Sequence, residues 1–159
     1  MTATQQQQSD GQARPVQEGL FTWPSAAPQL IAARCSACRE IVFPSQDSCP
    51  ACTSRKVESV LLSREGTLWT FTVQHFPPPV PPYVGPADPA TFQPLGIGYV
   101  ELPEGIRVEG RLTEGDAAKL AIGMKMELVV VPFVRDASGT ELLTFAFRPV
   151  DGAGAGAHA

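Results

Sequence analysis

Residues 35–52 read CSACREIVFPSQDSCPAC, and this stretch holds two Cys-x-x-Cys pairs, Cys35-Ser36-Ala37-Cys38 and Cys49-Pro50-Ala51-Cys52, separated by ten residues. A Cys-x-x-Cys pair closes into a tight knuckle that points two thiolates at one ion and turns nearby backbone N–H groups toward the sulfurs. Two knuckles complete a tetrahedron, so Cys35, Cys38, Cys49 and Cys52 are expected to hold one structural Zn²⁺. Paired spacing of this kind is a far stronger signal than a lone Cys-x-x-Cys. The same four ligands are able to hold iron, which would colour the protein, and two disulfides are the remaining alternative, disfavoured in a reducing compartment. Arg34 and Arg39 flank the first pair and are placed to offset surplus negative charge.

The ribbon uses all four cysteines of the sequence, so no thiol remains as a nucleophile. Of the two histidines, His158 lies in the C-terminal stretch, and His75 alone cannot build a histidine-based catalytic constellation; a structural role is the simpler reading. Glu101, Glu104 and Glu109 cluster around one predicted hairpin, but carboxylates at strand edges are usually solvated, and no acid/base pair is legible in them. There is no phosphate-cradling P-loop. Gly96-Ile97-Gly98 is too short for a dinucleotide fingerprint and reads as a bulge or a close backbone approach. No catalytic residue is predicted.

Downstream of the cysteines the period becomes that of β-structure. Five strands are expected near 62–76, 95–102, 106–112, 124–134 and 141–147. In the first, Trp69, Phe71 and Val73 alternate with Leu68, Thr70 and Thr72, the arrangement of a sheet buried on one face. Pro103-Glu104-Gly105 reads as a hairpin turn, Asp136-Ala137-Ser138-Gly139 as another, and a short helical turn falls around Asp116–Leu120. Five short strands with one irregular crossover fit an OB-type Greek-key barrel. The expected fold is therefore mainly β: an N-terminal docking segment over 17–33, a zinc ribbon over 34–60, and a five-stranded OB-fold domain over 61–150. The Gln-rich residues 1–16 and the Gly/Ala-rich residues 151–159 carry too little apolar surface to stay ordered and are read as tails.

Two segments look outward. Leu20, Phe21 and Trp23 sit beside Gly19 and Pro24, which suits a docking segment or, equally, a cover for the chain's own core. Residues 77–94 hold eight prolines in eighteen positions. A loop this long in a compact barrel tends to be functional, and proline keeps it extended and lowers the entropy lost on binding; the plainer alternative is a surface excursion. Phe21, Trp23, Phe76, Tyr83 and Phe92 are the candidate anchors for a partner, since aromatic hot spots typically carry about 2 kcal/mol or more each. Arg55, Lys56 and Arg64 are weaker candidates for coenzyme A phosphates, against the alternative of solvated surface charge.

The 159 residues carry 12 basic and 16 acidic side chains, a formal −4 that falls by about two more once four thiolates surround one Zn²⁺. An acidic chain is a poor match for nucleic acid or an anionic membrane. No apolar stretch approaches the roughly 20 residues of a membrane span, and the polar start lacks the features of a signal peptide, so a cytoplasmic protein is expected.

Taken in order, the ribbon with Phe43-Pro44, then Gly66-Thr67-Leu68-Trp69-Thr70-Phe71-Thr72, Gly98-Tyr99-Val100-Glu101-Leu102, Gly105 to Leu112, Ile122-Gly123-Met124 and Phe145-Ala146-Phe147-Arg148-Pro149 form a set. The set resembles the rubredoxin-like zinc-ribbon plus OB-fold proteins that accompany thiolases and sterol-carrier-type thiolase homologues in acyl-CoA metabolism, over 20–149. The resemblance implies a small non-catalytic subunit in a hetero-oligomer with a thiolase-fold enzyme, which supplies the catalytic residues for Claisen-type or aldol chemistry on a CoA thioester. It further implies that ribbon and barrel brace the partner and help frame the acyl-CoA channel. The proline-rich insertion departs from shorter members. Rival readings are a single-stranded nucleic-acid-binding OB-fold protein, as such barrels stack bases on exposed aromatics, and a stand-alone acyl-CoA-binding protein.

Overall fold

The computed structural model describes residues 13–80, 83, 85 and 88–150. The expected tails therefore lie outside the described residues at 1–12 and 151–159, as do five positions of the proline-rich insertion. Two antiparallel-rich sheets make up the chain. The smaller runs β3-β2-β4, with β2 at Ile31–Cys35, β3 at Ile41–Val42 and β4 at Val57–Leu61. The larger contains β1 (Arg14–Pro15), β5 (Glu65–Gln74), β6 (Leu95–Glu101), β7 (Arg107–Leu112), β8 (Lys125–Arg135) and β9 (Glu141–Pro149). Its order is β1-β9-β7-β6-β5-β8, and β8 also pairs with β9. That last pairing closes β5–β9 into the five-stranded OB barrel, in which β7 and β9 run parallel and the remaining pairs antiparallel.

The turns follow their residues. Gly105 adopts φ +83° and donates its N–H to the Leu102 carbonyl at 2.9 Å, closing the β6–β7 hairpin. Gly139, at φ +85°, does the same toward Asp136 between β8 and β9. Asp136 completes that turn by accepting from the Ser138 N–H, the Ser138 hydroxyl and the Thr140 N–H. Ala117–Lys119 form a single 3₁₀ turn, with Asp116 as its N-cap. At Gly98 the backbone does pass close to its neighbours: a Cβ there would stand 2.9 Å from Leu68 Cδ1 and 3.0 Å from the Thr70 carbonyl.

One core serves both sheets. Leu68, Val100, Val108, Leu112, Met126, Leu128 and Phe147 fill the barrel, and Leu30 just before β2, Ala32 within it, Leu62 and the N-terminal Leu20 and Phe21 continue the same cluster. Phe43 of the ribbon meets Phe145 of β9 edge-on, with ring centroids 5.6 Å apart.

Three expectations need correction. Residues 13–16 are not tail: Arg14 and Pro15 pair in parallel with Leu142 and Leu143, and Arg14 reaches Asp136 at 3.0 Å. Simple alternation through β5 fails at Trp69, because a bulge lies between Leu68 and Thr70. Since side chains alternate with period two, one extra residue reverses the phase. Leu68 points inward opposite Val100, Phe71 and Val73 pack against the core, and Trp69 is turned outward, 46% exposed. Phe21, finally, is 2% exposed and belongs to the core rather than to an accessible docking surface.

Candidate metal centre

Both knuckles are built by the same hydrogen bonds. The Cys35 N–H donates to the Glu40 carbonyl and the Arg39 N–H to the Cys35 carbonyl, each at 2.8 Å; the Cys49 N–H donates to Ser54 at 2.9 Å and the Thr53 N–H to Cys49 at 2.8 Å. The residue after each pair turns into the left-handed region, Arg39 at φ 69° and Thr53 at φ 60°. Cys35 ends β2 opposite Val57 of β4, so the first knuckle hangs from the small sheet. Cys35 and Cys49 are buried, whereas Cys38 and Cys52 face solvent.

All four Sγ atoms lie within 4.8 Å of one another, with Cys35–Cys52 at 3.6 Å and Cys38–Cys49 at 3.5 Å. A tetrahedron with Zn–S bonds of about 2.3 Å has sulfur–sulfur edges of roughly 3.8 Å. The four cysteines are free thiols, not two disulfides. Their protonation chemistry fits a cation as well. The Cys38 N–H, opposed by burial and helped by the Ala37 N–H and the neighbouring thiols, lowers Cys35 to about 6. At Cys38 the Glu40 N–H favours the thiolate, but the crowded Cys52 and Cys49 sulfurs and burial outweigh it and push the thiol up to about 12. Cys52 is also raised: the Ser54 N–H favours its thiolate, against burial and the Cys35 and Cys49 sulfurs. The Cys35 thiolate is thus easy to form, and those of Cys38 and Cys52 are costly. A divalent ion cancels that repulsion and lets all four ionise.

The other predicted site residues scatter. Trp23 is partly exposed and its Nε1–H donates to the Ala13 carbonyl at 3.2 Å. Phe76 is 75% exposed at the start of the insertion. Tyr83 and Phe92 meet edge-on across that insertion, 6.3 Å between centroids, and so form one aromatic pair rather than two separate anchors. Arg55 and Lys56 are exposed beside the second knuckle. Arg64 is committed elsewhere, paired with Glu127 at 3.0 Å and donating to the Leu128 carbonyl at 3.3 Å, which removes it from the cationic set. His75 is exposed at the rim of a shallow cleft of about 470 Å³ whose other walls include Gln93, Pro94, Glu114 and Asp116. Glu104 accepts from both the N–H and the hydroxyl of Ser63 at 2.8 Å, tying the β6–β7 hairpin to the segment that leaves the ribbon.

Comparison with known proteins agrees with this geometry. The family model "ChsH2, rubredoxin-like zinc ribbon domain" matches residues 25–58, and "ChsH2, C-terminal OB-fold domain" matches 59–131. The cofactor is one structural zinc. Among relatives, a DUF35 domain-containing scaffold protein of Methanocaldococcus jannaschii is 31% identical over 77% of this chain and 82% of its own length. The benzoylsuccinyl-CoA thiolase subunit BbsA of Thauera aromatica is 32% identical over 78% of each. The solved structure of the Ltp2-ChsH2(DUF35) aldolase superposes with a TM-score of 0.57 at 30% identity, covering 76% of this chain and 84% of that one. With adjoining family models spanning ribbon and barrel, and relatives above 30% identity over three quarters of its length, the chain belongs to the ChsH2-type (DUF35) family of zinc-ribbon/OB-fold proteins.

Proposed function

We propose that the protein is a non-catalytic accessory subunit of a thiolase-fold enzyme, a thiolase or a sterol-carrier-type thiolase/aldolase, acting on acyl-CoA thioesters. The observation that carries this is the fate of the thiols: all four converge on one metal knot whose ribbon shares a continuous core with the barrel. The chemistry present builds a rigid bracket. When bound, the metal supplies cross-linking of the two knuckles, and Cys35, Cys38, Cys49 and Cys52 are the residues that hold it. The thiolase and aldolase named among the relatives support a partner of that class, which would contribute the reacting groups. A reducing cytoplasm suits a site that needs its thiols free.

In this reading the bracket braces the enzyme and helps to frame its acyl-CoA channel. Trp23, Phe76 and the Tyr83–Phe92 pair are the aromatic contacts, and Arg55 and Lys56 face the coenzyme A phosphates. Co-expression with a thiolase-type subunit and mass determination of the product tests the assignment. A stable hetero-oligomer is expected, weakened when Trp23 and Tyr83 are both replaced by alanine. The isolated chain should show no turnover of acyl-CoA esters in calorimetry. Thioester turnover by the chain alone, or failure to assemble with any such subunit, would overturn it.

A further inference from the structure

The β5 bulge that expels Trp69 creates a surface that simple alternation conceals. Trp69 stands edge-on to Tyr99 of β6, 6.4 Å between centroids at 89°, and the Arg107 guanidinium of β7 lies 3.9 Å from the Trp69 ring centroid. Two of the three side chains are held by hydrogen bonds to cross-strand neighbours on the same face. Arg107 Nε donates to Glu101 at 2.8 Å, and the Tyr99 hydroxyl donates to Glu109 at 2.8 Å. Three adjacent strands thus present Trp, Tyr and Arg together, already locked in place. These are the residue types enriched at binding hot spots, and locking them beforehand lowers the entropy lost on association. An exposed tryptophan re-aimed by a bulge is a feature to be explained, since bulges commonly mark places where a side chain is redirected for a purpose.

We infer that the outer β5–β6–β7 face centred on Trp69, Tyr99 and Arg107 is a further surface against which the thiolase-type subunit packs, in addition to the Trp23, Phe76 and Tyr83–Phe92 contacts, an assignment that rests on the function proposed above. The opposite side of the barrel is already occupied: β9 carries the β1 pairing and the ribbon contact through Phe43 and Phe145. Charge selects the occupant. Arg107 is opposite Glu101 in the β6–β7 register, and Arg111 shares β7 with Glu109, so the positive groups are matched by acids on the same face. A polyanion finds no basic groove there, and a membrane finds neither a basic rim nor a broad apolar band. A neutral aromatic centre with paired charges at its edge is the make-up of a protein–protein contact.

The test uses the full chain and the thiolase-type subunit with which the wild-type chain co-assembles. Trp69→Ala removes the centre of the patch, and Thr70→Arg places a bulky charge opposite Tyr99 on the same face. Each variant should weaken binding at least tenfold while retaining one zinc per chain and a cooperative melt. Phe133→Ala, at an exposed position on β8, should leave affinity unchanged. Wild-type affinity in both patch variants would overturn this surface alone, whereas a wild-type chain that binds no thiolase-type subunit would overturn the functional reading as well. Loss of self-association or of oligothymidylate binding in the variants, with enzyme binding intact, would assign the face to another occupant and reject the proposal.

Discussion

Arg39 and Thr53 hold backbone conformations that glycine adopts without a steric cost, and each does so at the residue that closes a cysteine knuckle. A non-glycine residue in the left-handed region carries about 1 kcal/mol or more of steric strain, partly offset because glycine leaves a more flexible unfolded chain. Thr53→Gly should therefore raise stability slightly, by a few tenths to about 1 kcal/mol, in equilibrium denaturation of the zinc-loaded protein, whereas Arg39→Gly should gain less because it also removes a cation beside the thiolates. A β-branched residue at position 39 should lower stability. Asp136 offers a second residue-scale test. The Ser138 hydroxyl, against a burial penalty and with help from Arg14 and the Thr140 and Ser138 N–H groups, brings its pKa from 3.8 to about 2. A folded-state pKa below the unfolded value adds stability that is complete above the unfolded pKa and disappears as the pH falls through the folded one. The gap in melting temperature between the wild type and Asp136→Asn should accordingly be constant above about pH 5 and close progressively between 3.8 and about 2. A gap independent of pH would show that the carboxylate does not hold the turn.

At the scale of elements, what could be read from the sequence was whatever is specified locally. Cysteine spacing announces the knuckles, and Gly105 and Gly139 announce their hairpins because each needs a positive φ at one defined position. The β5 bulge is different in kind. Nothing in Leu68-Trp69-Thr70 breaks the alternation, and the extra residue is set by the register against β6, which begins more than twenty residues later. Strand β1 was hidden for a related reason: Arg14 and Pro15 join β9 through backbone pairing and an ion pair to Asp136, and their polar surroundings read as tail. Arg64 looked free in sequence because its partner Glu127 is distant along the chain. The same close β5–β6 packing predicts the effect of filling Gly98. A valine side chain there must displace Leu68 or the Thr70 carbonyl, so Gly98→Val should cost at least about 1–3 kcal/mol by denaturant titration, with zinc still bound.

For the molecule as a whole, the decisive relation is that the metal and the barrel stabilise one body. Leu30 at the start of the ribbon sheet and Ala32 of β2 enter the same apolar cluster that holds Leu68, Met126 and Phe147, and Leu62 joins them between the two sheets. The ribbon cannot open without exposing part of that cluster, so the knuckles and the barrel should unfold together. Structural zinc in small peptides is worth about 10–16 kcal/mol of binding free energy, which becomes folding free energy when the unfolded chain has no site. Removing it with a chelator should lower the melting temperature of the entire chain in a single transition, measured equally by far-ultraviolet circular dichroism and by the fluorescence of Trp23 and Trp69. Acid should act in the same direction, because protons compete with Zn²⁺ for the four thiolates and the metal's contribution declines as the pH falls. Two separated transitions after chelation, with the barrel melting at its original temperature, would mean that ribbon and barrel are independent modules. The zinc would then hold only its own knuckles, and the rigid-bracket account of how this chain supports an enzyme would lose its physical basis.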